Sequence, residues 1–485
     1  MSRIVKTYNE EVVKRTAKRC KDRGIVIPTF AQMRNPDTAP DAVKARLQHV
    51  SVNTVDPANL FRITWKNNPE TGLFGGPNFV EIPRAITGVK ARIIGLVGKH
   101  FPTGAHKVGA AFACLVPRLV SGEFDPEAHK AVWPSTGNYC RGGAFDSAIL
   151  GCTAVAVLPE NMSKERFTWL AEIGSEVIAT PGCESNVKEI YDKCWELKND
   201  PKHMVFNQFE EFGNPIWHYN VTGPAIEEVF NGIKTPKSRL AAYVSATGSA
   251  GTIAAGDYLK DHFNGTRIIA TEAIQCPTLL LNGFGDHRIE GIGDKHVPWV
   301  HNVRNTDAVA AIDDEDCMRV LRLFNEPEGK AYLADLGVDR AAIESLSLLG
   351  ISGICNLLAA IQAAKYWELD ENDVICTIFT DSVEMYRSRL EEQTAENGAF
   401  TPMTAAKAHI GSLERQAVDN FKELTFPEKK AIHNLKYYTW VEQQGKTYEE
   451  ICAQWHPDFW SELFTEEAAA FDKLITAFNE QVARS

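Results

Sequence analysis

The sequence lacks the marks of several large protein classes. Its eleven cysteines are scattered, with no C-x-x-C pair and no zinc-type spacing, and no H-E-x-x-H occurs, so no metal site is expected. Neither G-x-G-x-x-G nor G-x-x-x-x-G-K-[ST] is present, which removes support for dinucleotide binding and P-loop chemistry. Excess positive charge is missing too. Lys and Arg number 51 against 63 Asp and Glu, and the net charge of −12 argues against nucleic acid and anionic membranes as partners. No run approaches the ~18 consecutive apolar residues that span a bilayer. The opening Met1-Ser2-Arg3-Ile4-Val5-Lys6 leads into charged residues rather than an apolar core, so no secretory signal is expected. With reduced thiols as the simple reading, the expected location is cytoplasmic.

What is present is ordinary in bulk and specific in detail. The 485 residues suffice for two or three domains, and 44% hydrophobic with 24% charged content suits a globular chain. Short apolar runs at 91–97, 153–158, 176–179, 267–270 and 374–379 alternate with helical patterns. That alternation predicts an α/β fold with parallel sheets. Residues 10–23 read as a charged helix and 67–77 as turn-rich. The last part of the chain reads as helical, with Trp440, Trp455, Phe459 and Trp460 as packing anchors and a break at His456-Pro457-Asp458.

Four stretches carry chemistry. In Pro102-Thr103-Gly104-Ala105-His106-Lys107, one lysine stands at the mouth of a small-residue, apolar helix that Thr103 is positioned to cap. Burial lowers a lysine pKa and yields an amine that can hold a carbonyl; the bland alternative is a lysine snorkelling from a helix end. Ser135-Thr136-Gly137-Asn138 lies between a strand-like run and a helix, where hydroxyls, an amide and backbone N–H groups can meet an anion. Gly248-Ser249-Ala250-Gly251-Thr252 has the same strand-loop-helix setting and suits a phosphate cup, or else a plain tight turn. Gly350-Ile351-Ser352-Gly353 opens a small-residue helix, where the serine either caps or points its hydroxyl at a ligand.

Taken in this order, the four resemble the fold-type-II pyridoxal-phosphate enzymes of the tryptophan synthase β and cysteine synthase group. Asn207-Gln208-Phe209, Asn214-Pro215, Thr222-Gly223-Pro224, the segment from His287 to Gly293, and Thr380-Asp381-Ser382 add to the likeness, which covers roughly residues 80 to 390. The resemblance implies two parallel-sheet α/β domains with the cofactor in the cleft between them, flanked by helical N- and C-terminal extensions. The expected boundaries are an extension over 1–80, a smaller domain over 81–230 carrying the lysine and asparagine loops, a larger domain over 231–390 carrying the phosphate loop, and a helical extension over 391–485. It further implies a homodimer acting on a small amino acid.

By the same resemblance, Lys107 is the Schiff-base lysine and the base, and Asn138 contacts the ring hydroxyl of pyridoxal 5'-phosphate. Gly248, Ser249, Ala250, Gly251 and Thr252 hold its phosphate, and Ser352 faces the ring nitrogen. Ser135, Thr136, Gly137, Tyr139 and Gln208 hold the substrate. A serine at the ring nitrogen deepens the electron sink less than a carboxylate would, which favours β-elimination or β-replacement on a β-substituted L-alanine over transamination. A serine/threonine dehydratase-type ammonia-lyase and a non-catalytic binding homologue are the alternatives. The sequence also departs from the family. Tyr139 stands where cysteine synthases usually have threonine, and the acidic residue of the tryptophan synthase loop is absent from 135–138, so indole chemistry is not expected. Arg141 either recognises an acidic group on the substrate or lies on the surface of the first helical turn. His106 is expected to orient the lysine or stack near the ring.

Overall fold

The computed structural model describes residues 3–135, 137–162, 164–182, 187–293 and 295–485. Among the described residues, eleven strands form two sheets. In chain order they are β1 (Phe79–Ile82), β2 (Arg92–Val97), β3 (Lys130–Pro134), β4 (Thr153–Pro159), β5 (Glu176–Thr180), β6 (His203–Val205), β7 (Arg239–Ala246), β8 (Arg267–Ala273), β9 (Ala308–Ile312), β10 (Asp373–Phe379) and β11 (Phe421–Glu423). The smaller sheet has the order β5-β4-β3-β6 and is parallel throughout. The larger has the order β1-β2-β10-β7-β8-β9-β11, with a parallel centre and an antiparallel strand at each edge.

The hydrophobic pattern explains which strands are central. All seven residues of β10 and all five of β9 are buried, as helices on both faces of a parallel sheet require. β5 lies at an edge, and four of its five residues retain some exposure.

One boundary is corrected. The smaller domain was expected to begin at residue 81, but β1 and β2 belong to the larger sheet, where β2 pairs in parallel with β10. An apolar run does not say which sheet it joins. The chain begins in the larger sheet, builds the smaller one, and returns to complete the first with β7 to β11.

The helix Lys107–Val120 runs between these parts. It packs on the helix Asn138–Leu150, on the N-terminal helix Glu10–Asp22 and on the C-terminal helix Ala468–Arg484. Val13, Ala17, Phe30, Phe471, Ile475 and Phe478 of the two extensions share one core with Val108, Phe112 and Leu115 of the central helix. Asp472 accepts the backbone N–H of Phe30 at 2.7 Å, and Asn479 exchanges hydrogen bonds with the backbone of Ile27 at 2.8 and 3.1 Å. The extensions therefore join each other and brace the helix that presents Lys107. Trp440 and Trp460 are buried, Trp455 and Phe459 are partly buried, and Pro457 starts a new helix.

Among the described residues, no single helix is long and apolar enough to cross a membrane. One bent pair, Arg340–Leu348 with Ile351–Tyr366, passes by composition. Residues 351–364 of that pair are buried in the larger domain.

Candidate active site

Four chain segments leave the carboxyl ends of β2, β3, β7 and β10 and converge, the usual location of a ligand cleft in parallel sheets. After β2, residues 98–106 lead to Lys107, the first residue of its helix. Thr103 does not cap that helix. It lies in a preceding turn with φ of 67°, an unusual conformation for a β-branched residue, and its backbone N–H donates to Asn53 Oδ1 at 2.9 Å. The helix reaches the next one without spacing. A Cβ on Gly142 would sit 2.7 Å from Val108 Cα and 3.2 Å from the carbonyl carbon of Lys107, so that position is restricted to glycine.

Lys107 Nζ donates to Gln208 Oε1 at 3.1 Å. Gln208 Nε2 donates to Ser135 Oγ at 3.2 Å, and Ser135 Oγ also accepts the N–H of Gly137 at 3.1 Å. Three residues expected from separate sequence motifs are thus one hydrogen-bonded chain. Thr136 lies outside the described residues. Gly137 has φ of 156°, and a Cβ there would overlap the Arg166 guanidinium, 1.6 Å from Nη1. Arg166 pairs with Glu290 at 3.1 Å, and Glu290 with Arg389 at 2.6 Å, a buried network behind the loop.

The phosphate-loop expectation rests on a different feature. Among the described residues, none of the backbone N–H groups of residues 248–252 donates to a protein acceptor, while the loop is pinned through Thr247 N to Thr271 O at 2.7 Å and Gly293 N to Thr247 O at 3.0 Å. Ala250 has φ of 61°, which bends successive N–H groups into a concave anion-binding nest at the start of the helix Ile253–His262. Asn214 Nδ2 bonds both Ser249 Oγ at 3.0 Å and Gln208 O at 2.9 Å, joining this loop to the Lys107 chain. Gly251 leaves room for that amide, since a Cβ would meet Asn214 Oδ1 at 2.0 Å.

Lys107, His106, Asn214, His218, Ser249, Asn356 and Thr380 are among the residues lining one enclosed pocket with this loop. Both histidines are held neutral. Burial pushes His106 down to about 3 and His218 well below the usual range, and the neighbouring Lys107 acts in the same direction on each. His106 Nε2 lies 3.3 Å from Thr380 Oγ1, and its ring lies against Trp65 and His218.

Asn138 donates to Asp381 Oδ2 at 2.6 Å, an oxygen that also accepts from Tyr386 at 2.8 Å; Asn138 Oδ1 has no partner. Burial raises the Asp381 carboxyl above its ordinary range, opposed by Arg166.

Two expected residues lie outside the pocket lining. Tyr139 turns away from the pocket: its ring packs edge-on against Trp133 in the core, because position 139 faces inward on the first turn of its helix. Ser352 is buried at the second position of the helix Ile351–Tyr366 but is not among the residues lining the pocket, whereas Asn356, one turn later, and Thr380 are. Asn214, Asp381, Glu290 and Thr380 lay inside quoted motifs without roles of their own. Contacts such as Asn214 to Ser249 and His106 to Thr380 cross 35 and 274 positions of sequence, which no local pattern reports. Arg166 and Asn356 carried no sequence signal.

The residues present fit pyridoxal phosphate. A row of uncommitted N–H groups faces the pocket that holds a lysine amine, and the amide oxygens of Asn138 and Asn356 are buried and unpartnered.

Residues 79–381 match the family model described as pyridoxal-phosphate dependent enzyme. A cysteine synthase of Staphylococcus aureus is 30% identical over 319 residues, covering 66% of this chain and 94% of the relative. The cystathionine beta-synthase of Saccharomyces cerevisiae is 26% identical over 345 residues, 69% of this chain and 64% of the relative. Among solved structures, a hydrogen sulfide-producing enzyme from Fusobacterium nucleatum shares the fold with a TM-score of 0.56 at 24% identity, covering 69% of this chain and 99% of the other.

Proposed function

The chain belongs to the pyridoxal-phosphate dependent enzymes, and from that premise we propose that Lys107 is the attachment point and proton acceptor for β-elimination or β-replacement on a β-substituted L-alanine. The observation that carries the reading is the Lys107–Gln208–Ser135 chain set opposite the uncommitted N–H groups of residues 248–252. It is an enzyme of lyase or transferase type, similar to cysteine synthases. The cofactor, when bound, supplies the electron sink that makes an amino acid Cα–H acidic.

The protein supplies position and protons. Residues 248–252 hold the phosphate through backbone N–H groups and the hydroxyls of Ser249 and Thr252. Asn138, braced by Asp381, contacts the ring hydroxyl. Ser135, Thr136, Gly137 and Gln208 hold the α-carboxylate, and Gln208 Oε1 orients the Lys107 amine as it receives the Cα proton. The neutral His106 and His218 add no positive charge beside the amine, so they do not repel its protonated form. Ser352 is proposed at the ring nitrogen, with Thr380 as the competing hydroxyl; the cofactor spectra of Ser352→Ala and Thr380→Ala separate them. The smaller domain is proposed to span β3 to β6 with the Lys107 helix. A homodimer is proposed as well, tested by light scattering, together with a cytoplasmic location, supported by the ten cysteines that are free among the described residues.

The test is to mix the holoenzyme with O-acetylserine, cysteine, serine and cysteate, following absorbance and the released group. A spectral change with one of them, absent in Lys107→Ala, is expected. No response to any would overturn the reading. Release of ammonia and a 2-oxo acid from serine alone would select the dehydratase alternative.

A further inference from the structure

Beside the Lys107 pocket lies a second cavity of about 590 Å³, and Arg141 forms part of its wall. The two spaces share a boundary. Thr103 and Gly104 line the larger cavity while His106 and Lys107 line the pocket, and Ser382 and Thr380 divide in the same way at the end of β10. Arg141 is not the surface arginine that its place on a first helical turn allowed: it is only 4% exposed. Its guanidinium packs 4.7 Å from the Trp169 ring centre, and Nη1 bonds the Met385 thioether at 3.0 Å. Nε has no partner, and no carboxylate pairs with Arg141 among the described residues.

The other cations of this wall are committed. Lys99 pairs with Glu384, and the Arg62 guanidinium is saturated by the carbonyls of Leu47, Val50 and Gly72 and by Asn59. Asp381 acts on it only through space, so among the described residues this buried guanidinium directly contacts a thioether and an aromatic face, an arrangement that is costly unless an anion completes it.

We propose that Arg141 is a specificity-determining residue that binds an oxyanion (phosphate or sulfonate) carried on the β-substituent of the amino acid substrate. This rests on the proposed chemistry at Lys107. The helix that begins at Asn138 presents Arg141 one turn beyond the loop assigned to the α-carboxylate. Gly142, the next residue, touches the Lys107 helix, and this places Arg141 near the reacting centre, where a β-substituent directed toward it would meet its cavity. The planar fork of arginine suits such a group, and the Trp169 face fixes its orientation.

The test compares kcat/KM of the holoenzyme for O-phospho-L-serine and L-cysteate with that for O-acetyl-L-serine, the two acidic substrates distinguishing phosphate from sulfonate. The acidic compounds are expected to lead, and Arg141→Gln is expected to lower the acidic-to-neutral ratio about a hundredfold. Arg141→Lys, which keeps the charge, lowers it about tenfold and serves if the first variant does not fold. In parallel, inorganic phosphate is titrated calorimetrically into wild-type and variant holoenzyme. An unchanged ratio, or unchanged phosphate affinity, overturns the assignment of Arg141. If no amino acid turns over, the reading of Lys107 fails, and the phosphate titration alone decides Arg141.

Discussion

The pocket at Lys107 and the cavity at Arg141 are neighbours of opposite character. The first is lined by Lys107, two neutral histidines and mostly small, hydroxyl and amide side chains, with no arginine or carboxylate, and every lining residue falls within 79–381, the span matched by the family. The second is walled by Arg62, Lys99, His100, Glu384 and Arg141, together with residues 47–53 and 67–72 that precede that span. Chemistry shared with relatives thus sits inside the matched region. The cavity to which selectivity is assigned by proposal lies where the N-terminal extension meets it. Asn53 links the two, because it reaches from the extension to the backbone of Thr103, four residues before Lys107.

The sharpest way to separate the two regions is Lys107→Ala. Turnover should fall by about a thousandfold or more for every substrate, acidic or neutral, with loss of the imine absorbance of the holoenzyme, while phosphate titration at Arg141 is retained. If turnover survives, the pocket is not the reaction centre.

The bracing by the extensions is probed next by Phe471→Ala. Phe471 is fully buried, edge-on to Phe30 at 6.0 Å, so its truncation should cost about 3–5 kcal/mol in denaturant unfolding. A loss near zero would mean that the C-terminal helix does not support the Lys107 helix.

Gly251→Ala tests the cofactor side alone. The new methyl must displace the Asn214 amide, and cofactor affinity, measured by fluorescence titration of the apoenzyme, should drop about tenfold while the acidic-to-neutral substrate ratio stays fixed. A changed ratio would show that the two regions are not separable.

The smallest effect is a pH dependence. His106, held down to about 3 by burial, stays neutral in the folded protein, whereas in the unfolded chain it titrates near the ordinary histidine value of about 6.5. As pH falls through this window the unfolded state takes up the proton first, so stability is lost by up to about 1.4 kcal/mol per unit until the folded form also titrates. His218 acts in the same direction. Unfolding measured at pH 7.5 and 5.5 should show the loss, and His106→Gln should flatten it; equal slopes would place the effect elsewhere.

Much of this was legible beforehand. The apolar runs gave β4 and β10 nearly residue for residue, because central parallel strands are buried on both faces and need no partner information to be recognised. Lys107 and Asn138 each open a helix that follows a strand, and the glycine-rich segment 248–252 leads into the helix Ile253–His262, the strand-loop-helix order that the local patterns predict. Sheet membership of β1 and β2 was not legible, and neither was the inward turn of Tyr139: both depend on what lies across space rather than along the chain.

The amino-acid sequence alone determined the α/β class and the strand-loop-helix settings of the candidate loops, since each follows from local periodicity or from short runs of special residues; the cofactor was implied by the resemblance of the ordered motifs to a known family. Tertiary structure decided that Gln208 links Lys107 to Ser135, that Asn214 ties residues 248–252 to that chain, and that Arg141 is buried with no carboxylate pairing it among the described residues. Such facts arise when segments far apart in sequence are packed within about 3 Å of each other, the range over which hydrogen bonds and charges select their partners.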